Sequence, residues 1–522
     1  MLIRTIICLV ALSAALGSVA ATPSDRPIAG TELFSDRTVR TFKIEITGAE
    51  FEALKKDNRQ YVRGTVREGT NCFTNVAVHL KGMGSFRPLN EKPSFAVRFD
   101  KFSPNQTYCG LSKFLLNNSS QDSTYLAEYM STSLFRDAGL PAARVAHAFV
   151  ELNGRDLGLY VLIEAMNKEF LHEHFRSARG NLYEGYTQDV DQQLDQDGGK
   201  PSEQSDRKAL VAAAKIPDLG QRWSRLQQVL DVDEFLSFVA LEMFVGHTDG
   251  YAMNRNNFRI YHDPYYDRFV FITHGLDWGF GNTGLPLTPP LNSLLVRSVL
   301  ETPEGRTRYR ERVGQLFTNA FKVTVLTNRL NDVAAKLKTA ARNPAESKEW
   351  ENQAAAMRDR IVQRARNIAE RLAVPEPIAL AFDGAGSASI SGWRMGKLDK
   401  GQPALSAVSS EGKSTLYIDA GPLGSIASWR SRILLDAGKY RFSGMAKTKG
   451  VVARTSDIGA GAGVRISGGK RTNSLAGDCL WTPVEFSFEL PAASEVDLVC
   501  ELRAEKGEVW FDRDSLRLSR VK

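Results

Sequence analysis

Asp249, Asn254 and Asp277 stand where a short polar loop and a later turn interrupt strongly apolar chain. The first stretch reads His247-Thr248-Asp249-Gly250, with four residues between Asp249 and Asn254, and runs on to Asn257. The second reads Leu276-Asp277-Trp278-Gly279. Carboxylates and amides at such spacing suit phosphoryl transfer. That chemistry needs one carboxylate to orient a nucleophile and oxygen ligands to hold Mg²⁺ against phosphates. His-x-Asp, four residues, Asn, and then Asp-aromatic-Gly supply those groups in the required order. Each motif alone is no more than a polar turn beside a core hairpin; the ordered set is what favours a site.

The elements between and before the motifs explain how they could meet. Phe258–His262 and Arg268–Thr273, joined through Asp263-Pro-Tyr-Tyr-Asp267, predict a hairpin. A hairpin returns the chain on itself, so Asp249, Asn254 and Asp277 converge at one end. Upstream, Val232–Val245 is apolar on nearly every face. It predicts a helix buried all round, and so a rigid base for the polar loop.

The chain has 522 residues and a formal net charge of +7. That is weakly basic for the length, and no Lys/Arg block supports nucleic-acid binding. Residues 1–21 read as a signal peptide: a charged start, the apolar run Ile6–Leu16, and small residues to Ala21. No later stretch is long and apolar enough to span a membrane, so the mature chain is expected to be secreted, periplasmic or on the cell surface, without a transmembrane segment. Four cysteines follow the leader, and their spacing predicts bridges Cys72–Cys109 and Cys479–Cys500. No Cys-x2-Cys pair favours zinc instead.

Residues 22–39 are a polar lead-in. Alternating strands are expected at 41–47, 61–66 and 72–80, followed by the turn Lys81-Gly-Met-Gly-Ser85. Gly82, Gly84 and Ser85 would let backbone amides approach a phosphate, although spacing alone slightly favours a plain hairpin loop. Lys92 on the returning side could reach phosphates as a point charge, with Lys81 and Arg98 as competitors. A helix opening at Asn117–Asp122 and running to about Ala138 carries Glu128, a candidate partner for the lysine. Strands at 146–152 and 158–164 deliver Glu164 to a buried end, where a hinge would meet a nucleotide base. Residues 189–206 are acidic and rich in Gln and Gly, and read as a mobile insertion. Helices are expected at 207–230 and 303–373.

A linker at 374–380 precedes a change of composition. Residues 381–522 have many Gly and Ser, alternating short strands and four tryptophans, as in a β-sandwich. Gly459–Gly463 reads as a flexible loop.

The segments Lys81-Gly-Met-Gly-Ser-Phe, Lys92-Pro-Ser-Phe, Gly158-Leu-Tyr-Val-Leu-Ile-Glu164, Gly180-Asn-Leu-Tyr and Asp249…Asn254-Arg-Asn-Asn257-Phe resemble the CotH (spore-coat protein H) kinase family. The resemblance spans residues 40–373. It implies an α+β, atypical protein-kinase-like domain with a β-rich N-terminal part and a helical C-terminal part, followed by a jelly-roll-like β-sandwich. It also implies use of ATP with Mg²⁺ or Mn²⁺ and phosphorylation of Ser-rich secreted or surface proteins. Lys92 is then assigned to the phosphates, Glu164 to the hinge and Asp249 to catalysis, with Asn254, Asn257 and Asp277 on the metal. Many members carry a further aspartate where this chain has Gly275. The tail resembles carbohydrate-binding modules, which implies a polysaccharide partner. Two alternatives stand beside the kinase: a non-catalytic surface or polysaccharide-binding protein, and an AMP transferase on the same scaffold.

Overall fold

The computed structural model describes residues 28–200, 203–374, 377–396, 401–454, 459–490 and 493–521. The expected signal peptide, the first part of the lead-in, and Pro375 and Glu376 of the expected linker lie outside these residues. The chain divides into two compact units, Met1–Arg371 and Leu372–Lys522.

The first unit begins with a short helix, α1 (Thr31–Ser35), and β1 (Arg40–Ile46), then α2 (Gly48–Lys56), β2 (Val62–Glu68) and β3 (Asn71–Lys81). β4 (Ser94–Arg98), β5 (Lys113–Asn117), α3 (Ala127–Asp137), β6 (Val145–Leu152) and β7 (Arg155–Glu164) follow. The seven strands close into a barrel in the order β1-β2-β3-β4-β5-β7-β6, with β6 parallel to β1. Alternation decides what fills it, because successive side chains point to opposite faces. Phe42, Phe95, Phe99, Phe114 and Tyr160 point inward and pack with Tyr108 into an aromatic core. Their neighbours Lys81, Arg98, Lys113 and Leu115 are therefore presented outward.

Below the barrel come α4 (Lys168–His174), β8 (Leu182–Gly185), β9 (Asp195–Gly198), α5 (Ser205–Ala214), α6 (Leu219–Val229) and α7 (Val232–Val245). They continue through α8 (Tyr251–Asn254), β10 (Phe258–Asp263), β11 (Arg268–Thr273), α9 (Leu294–Leu300), α10 (Pro303–Asn319), α11 (Val323–Ala340) and α12 (Pro344–Leu372). The hairpin predicted around Asp-Pro is β10–β11, and the sheet runs β11-β10-β8-β9. Residues 189–206 are not the loose insertion expected from their composition. Asp189 is buried, accepting from the Tyr251 hydroxyl at 2.9 Å and the Leu294 amide at 2.6 Å, and β9 pairs with β8. The helix expected from Asn117 begins later: Asp122 folds the lead-in back by accepting from the amides of Thr124 and Ala127, both at 2.9 Å.

α7 is buried along its length, and its C-terminal end is unusually well satisfied. Every α-helix leaves its last four carbonyls without intrahelical donors. Here the His247 amide reaches the Glu242 carbonyl at 2.9 Å, and that of left-handed Gly246 reaches Met243 at 3.2 Å. These are the two bonds of a Schellman turn. The fully buried Arg364 of α12 donates to the Met243 carbonyl at 2.6 Å and to that of Phe244 at 3.0 Å. The Phe280 amide takes the Val245 carbonyl at 2.5 Å.

The second unit is built from β12 (Ile378–Ala379), β13 (Ser387–Ser389), β14 (Arg394–Met395), β15 (Ala404–Ser410), β16 (Lys413–Asp419) and β17 (Ser425–Leu435). It continues with β18 (Gly438–Ala453), β19 (Gly461–Ile466), β20 (Gly477–Leu490), β21 (Ser494–Asp512) and β22 (Arg517–Val521). All eleven join one largely antiparallel sheet system with its own core, in which Trp429, Cys500 and Phe511 are buried. The glycines at 461 and 463, expected in a flexible loop, belong to β19 and pair with β21.

Neither predicted disulfide exists: Cys72, Cys109, Cys479 and Cys500 are all free. Phe73 packs on Tyr108, so Cys72 beside it points to the opposite face of β3 and away from Cys109. Cys479 lies across β18 from Val509, level with Thr448. Cys500 sits nine residues along β21 from Val509, about 30 Å at strand rise, and its thiol is in the core. Thiol labelling and peptide mapping of the unfolded, unreduced protein are expected to find Cys72, Cys109, Cys479 and Cys500 all free; a protected pair among them would restore a bridge.

Arg364 leads to a second expectation. Hydrogen bonds from a charged donor are worth about 1.5–3 kcal/mol each, and leaving their buried acceptors unmet costs comparably. Arg364→Met should therefore lower stability by about 3 kcal/mol or more in chemical denaturation, and an unchanged midpoint would contradict the capping role.

Candidate active site

The polar loop after α7 is held from below by a carboxylate. Glu242 is fully buried on α7 and accepts from the amides of Tyr251 at 3.0 Å and Ala252 at 2.8 Å. Burial raises its carboxyl to about 8, and those two amides oppose the rise. The pair caps α8, the single turn that carries Asn254. Sequence reasoning passed over Glu242; its one signal is an acidic residue inside an otherwise apolar helix.

Above this clamp, Asp249 gathers three amides. Asn254 donates to Oδ1 at 2.7 Å, while Asn256 and Asn257 donate to Oδ2 at 3.0 and 2.9 Å. A carboxylate offers about four lone-pair positions, so the place left open is on Oδ1. Asn256 was not foreseen as part of this group. Asn257 also bonds the Asp249 carbonyl at 3.0 Å, and its Oδ1 lies against Gly275. Asn257 thus locks the loop, whereas the side-chain oxygen of Asn254 has no such neighbour among the described contacts. Gly275 has φ +64, and a Cβ there would meet Asn257 at 2.7 Å, so the glycine in place of a family carboxylate is tied to this packing.

Asp277 reaches the same region by a separate tether, because Phe280 anchors its turn to the end of α7. Gly279 permits the approach: a Cβ there would lie 2.0 Å from the Ser131 hydroxyl of α3. Burial pushes the Asp277 carboxyl up to about 6, with Lys81 opposing and Asp122 and Asp249 adding to the rise. Glu128 of α3 is raised to about 8 by burial and by the charge of Asp277, again opposed by Lys81. Burial lowers the Lys81 ammonium, and Glu128 and Asp277 pull it back up. One cation therefore serves several carboxylates.

Lys81, at the end of β3, is the lysine of this group, not Lys92. Lys92 instead donates to the Tyr125 hydroxyl and the Leu159 carbonyl, both at 2.7 Å, beneath the rings of Tyr125 and Tyr160. Burial lowers it to about 8, and the charges that act on it are Arg342 and Asp156. The period of two alone could not choose between lysines on either side of one turn. Gly82, Gly84 and Ser85 directly follow Lys81 and pack near Asn118 and Gln121; Asn118 donates to the Ser85 carbonyl at 3.1 Å. Glu164 ends β7 as expected, but its carboxylate is taken by Arg144, which donates to it from Nε at 3.0 Å and from Nη2. Beyond it, Ala165, Met166 and Asn167 line a cavity of about 550 Å³ with Leu115, Lys113 and Leu182.

The profile of the CotH kinase protein family matches residues 78–369, more than half of the chain. The chain belongs to the CotH kinase family. The inner spore coat protein H of Bacillus subtilis (strain 168) is 21% identical over 257 residues, covering 45% of this chain and 69% of that protein. Among solved structures, the Helicobacter pylori proinflammatory kinase CtkA aligns with 53% of this chain and 94% of its own at 6% identity, TM-score 0.26. A xylan-binding domain from Paenibacillus barcinonensis aligns with 26% of this chain and 88% of its own at 13% identity, TM-score 0.17. Scores so low leave the argument to the geometry.

A kinase-like family implies ATP and a divalent metal. Among the described residues no three His, Cys, Asp or Glu side chains converge as a ready-made metal site. What the residues do offer is oxygen and excess negative charge: Asp277 and Asn254, with a buried and unpartnered Oε2 on Glu128. Hard oxygen donors of this kind fit Mg²⁺ or Mn²⁺ held jointly with phosphate oxygens.

The two lysines separate cleanly by experiment. Lys81→Ala should weaken Mg-ATP affinity at least tenfold with little change in thermal midpoint. Lys92→Ala should spare affinity and cost about 1–3 kcal/mol, because two buried acceptors lose their donor. Calorimetry and thermal melts on both variants check this, and the reverse pattern would return the phosphate role to Lys92.

Proposed function

We propose that this protein transfers the γ-phosphoryl group of ATP to Ser residues of secreted or surface proteins. The observation that carries the reading is Lys81 set against Glu128 and Asp277, with Asp249 close enough for its charge to raise the Asp277 carboxyl.

In this reading Lys81 holds the phosphates, and Glu128 keeps the lysine charged and oriented. Asp277 and Asn254 are the residues to hold Mg²⁺, which when bound neutralises charge on the phosphates. Gly82, Gly84 and Ser85 lie next to Lys81 in sequence and cover the phosphates from the barrel side. The cavity beside Ala165–Asn167 receives the base, between Leu115 and Leu182. Glu164 supports this hinge through Arg144 instead of touching the nucleotide. The open position on Asp249 Oδ1 orients the serine hydroxyl and takes its proton as the new O–P bond forms and the bond to ADP breaks. The three asparagines fix that carboxylate in place, which removes the cost of orienting it at each turnover.

The export part of the proposal rests on the leader-like pattern of residues 1–21, since the free thiols lend it nothing. Incubation with ATP labelled at the α or γ phosphorus, Mg²⁺ or Mn²⁺ and a Ser-rich protein should transfer only the γ label. Transfer of the α label would establish the AMP-transfer alternative, and transfer of neither would establish the binding-protein alternative. Asp249→Asn keeps the shape but loses the charge that accepts the proton. General acid–base assistance is worth about 10²–10⁴-fold, so turnover should fall by that order in a protein that still folds and binds Mg-ATP, with a modest drop in melting temperature because one asparagine loses its acceptor. Full activity in that variant would remove Asp249 from the chemistry.

A further inference from the structure

The face of the second unit's sheet opposite its core carries a row of arginines. Trp429, Val464, Leu498 and Cys500 point into the core, so the alternate residues of β17, β19 and β21 point the other way. Arg394 of β14 pairs with Arg430 of β17, Arg430 with Val499 of β21, and Val499 with Arg465 of β19. Three strand spacings put about 14 Å between the first and last of these. Arg503 lies further along β21, and Arg471 crosses above the glycines of β19, where a Cβ on Gly463 would meet it at 3.1 Å.

Among the described residues, two carboxylates serve Arg394, Arg430, Arg465 and Arg471, and one of them also meets Arg503. Glu501 is buried and pairs with Arg465 at 2.9 Å and Arg503 at 3.2 Å, with Arg471 at 3.7 Å. Asp497 lies 3.2 Å from Arg394 and 3.9 Å from Arg430. Among the described residues, Arg394, Arg430, Arg465 and Arg471 set four cations against two anions on one partly buried face, a surplus of two. Two of the cations are also short of acceptors: the Nε atoms of Arg394 and Arg471 are buried and without a hydrogen-bond partner, and Arg471 as a whole is 7% exposed. Burying unmatched charge is costly unless something completes it. Burial lowers Arg430 below the usual arginine range; Asp497 and Glu501 oppose this, and Arg465 and Arg394 add to it.

We propose that this row binds an acidic polysaccharide, a chain bearing uronic-acid carboxylates. Guanidinium forks match carboxylates in a bidentate manner, and a row across strands suits an extended polymer. The interleaved Asp497 and Glu501, with Ser428 and Ser467 beside Arg430 at 3.2 and 3.4 Å, add acceptors and hydroxyls. Sugar hydroxyls can donate to those carboxylates while the uronate groups meet the guanidiniums, whereas a nucleic acid or an acidic peptide brings few hydroxyl donors to offset the repulsion. The half-buried tryptophans of this unit are not this site: Lys413 stands over Trp481 and Lys447 over Trp510. The proposal is independent of the kinase reading and survives its failure.

The test is calorimetry of the full chain with polygalacturonate, neutral galactan and inorganic phosphate at low and moderate salt. Polygalacturonate should bind, more weakly as salt rises, and the other two should not. Arg394→Gln with Arg430→Gln should weaken polygalacturonate at least tenfold, while Lys56→Gln with Lys348→Gln, an equal loss of charge elsewhere, should leave it unchanged. Should the arginine pair fail to fold, Arg430→Lys keeps the charge and loses the fork; it should weaken binding at least threefold. Absent polygalacturonate binding, equal loss in both double variants, unchanged affinity in Arg430→Lys, or binding of phosphate or neutral galactan in its place would each overturn the proposal.

Discussion

The site depends on how one helix ends. At the C-terminus of α7 each of four carbonyls finds a donor, and the donors come from three parts of the chain: the Schellman turn, the amide of Phe280 and the guanidinium of Arg364. The first fixes the start of the Asp249 loop and the second fixes the Asp277 turn. Glu242, on the last turns of the same helix, then pins the loop's far side through Tyr251 and Ala252. Two carboxylates separated by 28 positions in sequence are thus referred to a single rigid end. Removing any one tether would leave a buried polar group unmet, at a cost of about 1–3 kcal/mol.

Above that base the balance of charge does the rest. Asp277 feels the charge of Asp249 and raises Glu128 in turn, with Lys81 as the cation that acts on Glu128 and Asp277. The carboxyls of Glu128 and Asp277, raised by burial and by nearby like charge, are held ready for a bound cation. The second unit shows the opposite imbalance, arginines in excess over two acids. Both faces are understandable as surfaces completed by something of opposite charge.

Much of this was legible in the sequence where a single local rule sufficed. The alternation of Thr41–Thr47 marked β1, the all-apolar run marked α7, and the Asp-Pro turn marked the β10–β11 hairpin. The convergence of Asp249, Asn254 and Asp277 followed from that hairpin. What failed needed information about distant chain. Lys81 and Lys92 flank one turn, and only the barrel's closure decides which of them looks toward α3. Composition made residues 189–206 look loose, yet Tyr251, some sixty positions later, buries Asp189. The paired spacing of the cysteines suggested bridges, but strand direction set the thiols apart. Arg364 lies in a helix that reads as charged and amphipathic, and nothing local marks it as the residue that enters the core.

The capping of α7 by Arg364 has a consequence for biosynthesis. The arginine is encoded 120 residues after the carbonyl it caps. At about 5–20 residues per second, the ribosome takes roughly 6–24 s to deliver it once Phe244 has been made. From the synthesis of Gly279 until that of Arg364, the nascent chain holds the full Asp249 and Asp277 motifs on a helix whose end is still open. The end of α7, on which both motifs are hung, is therefore fully capped only once α12 has been made.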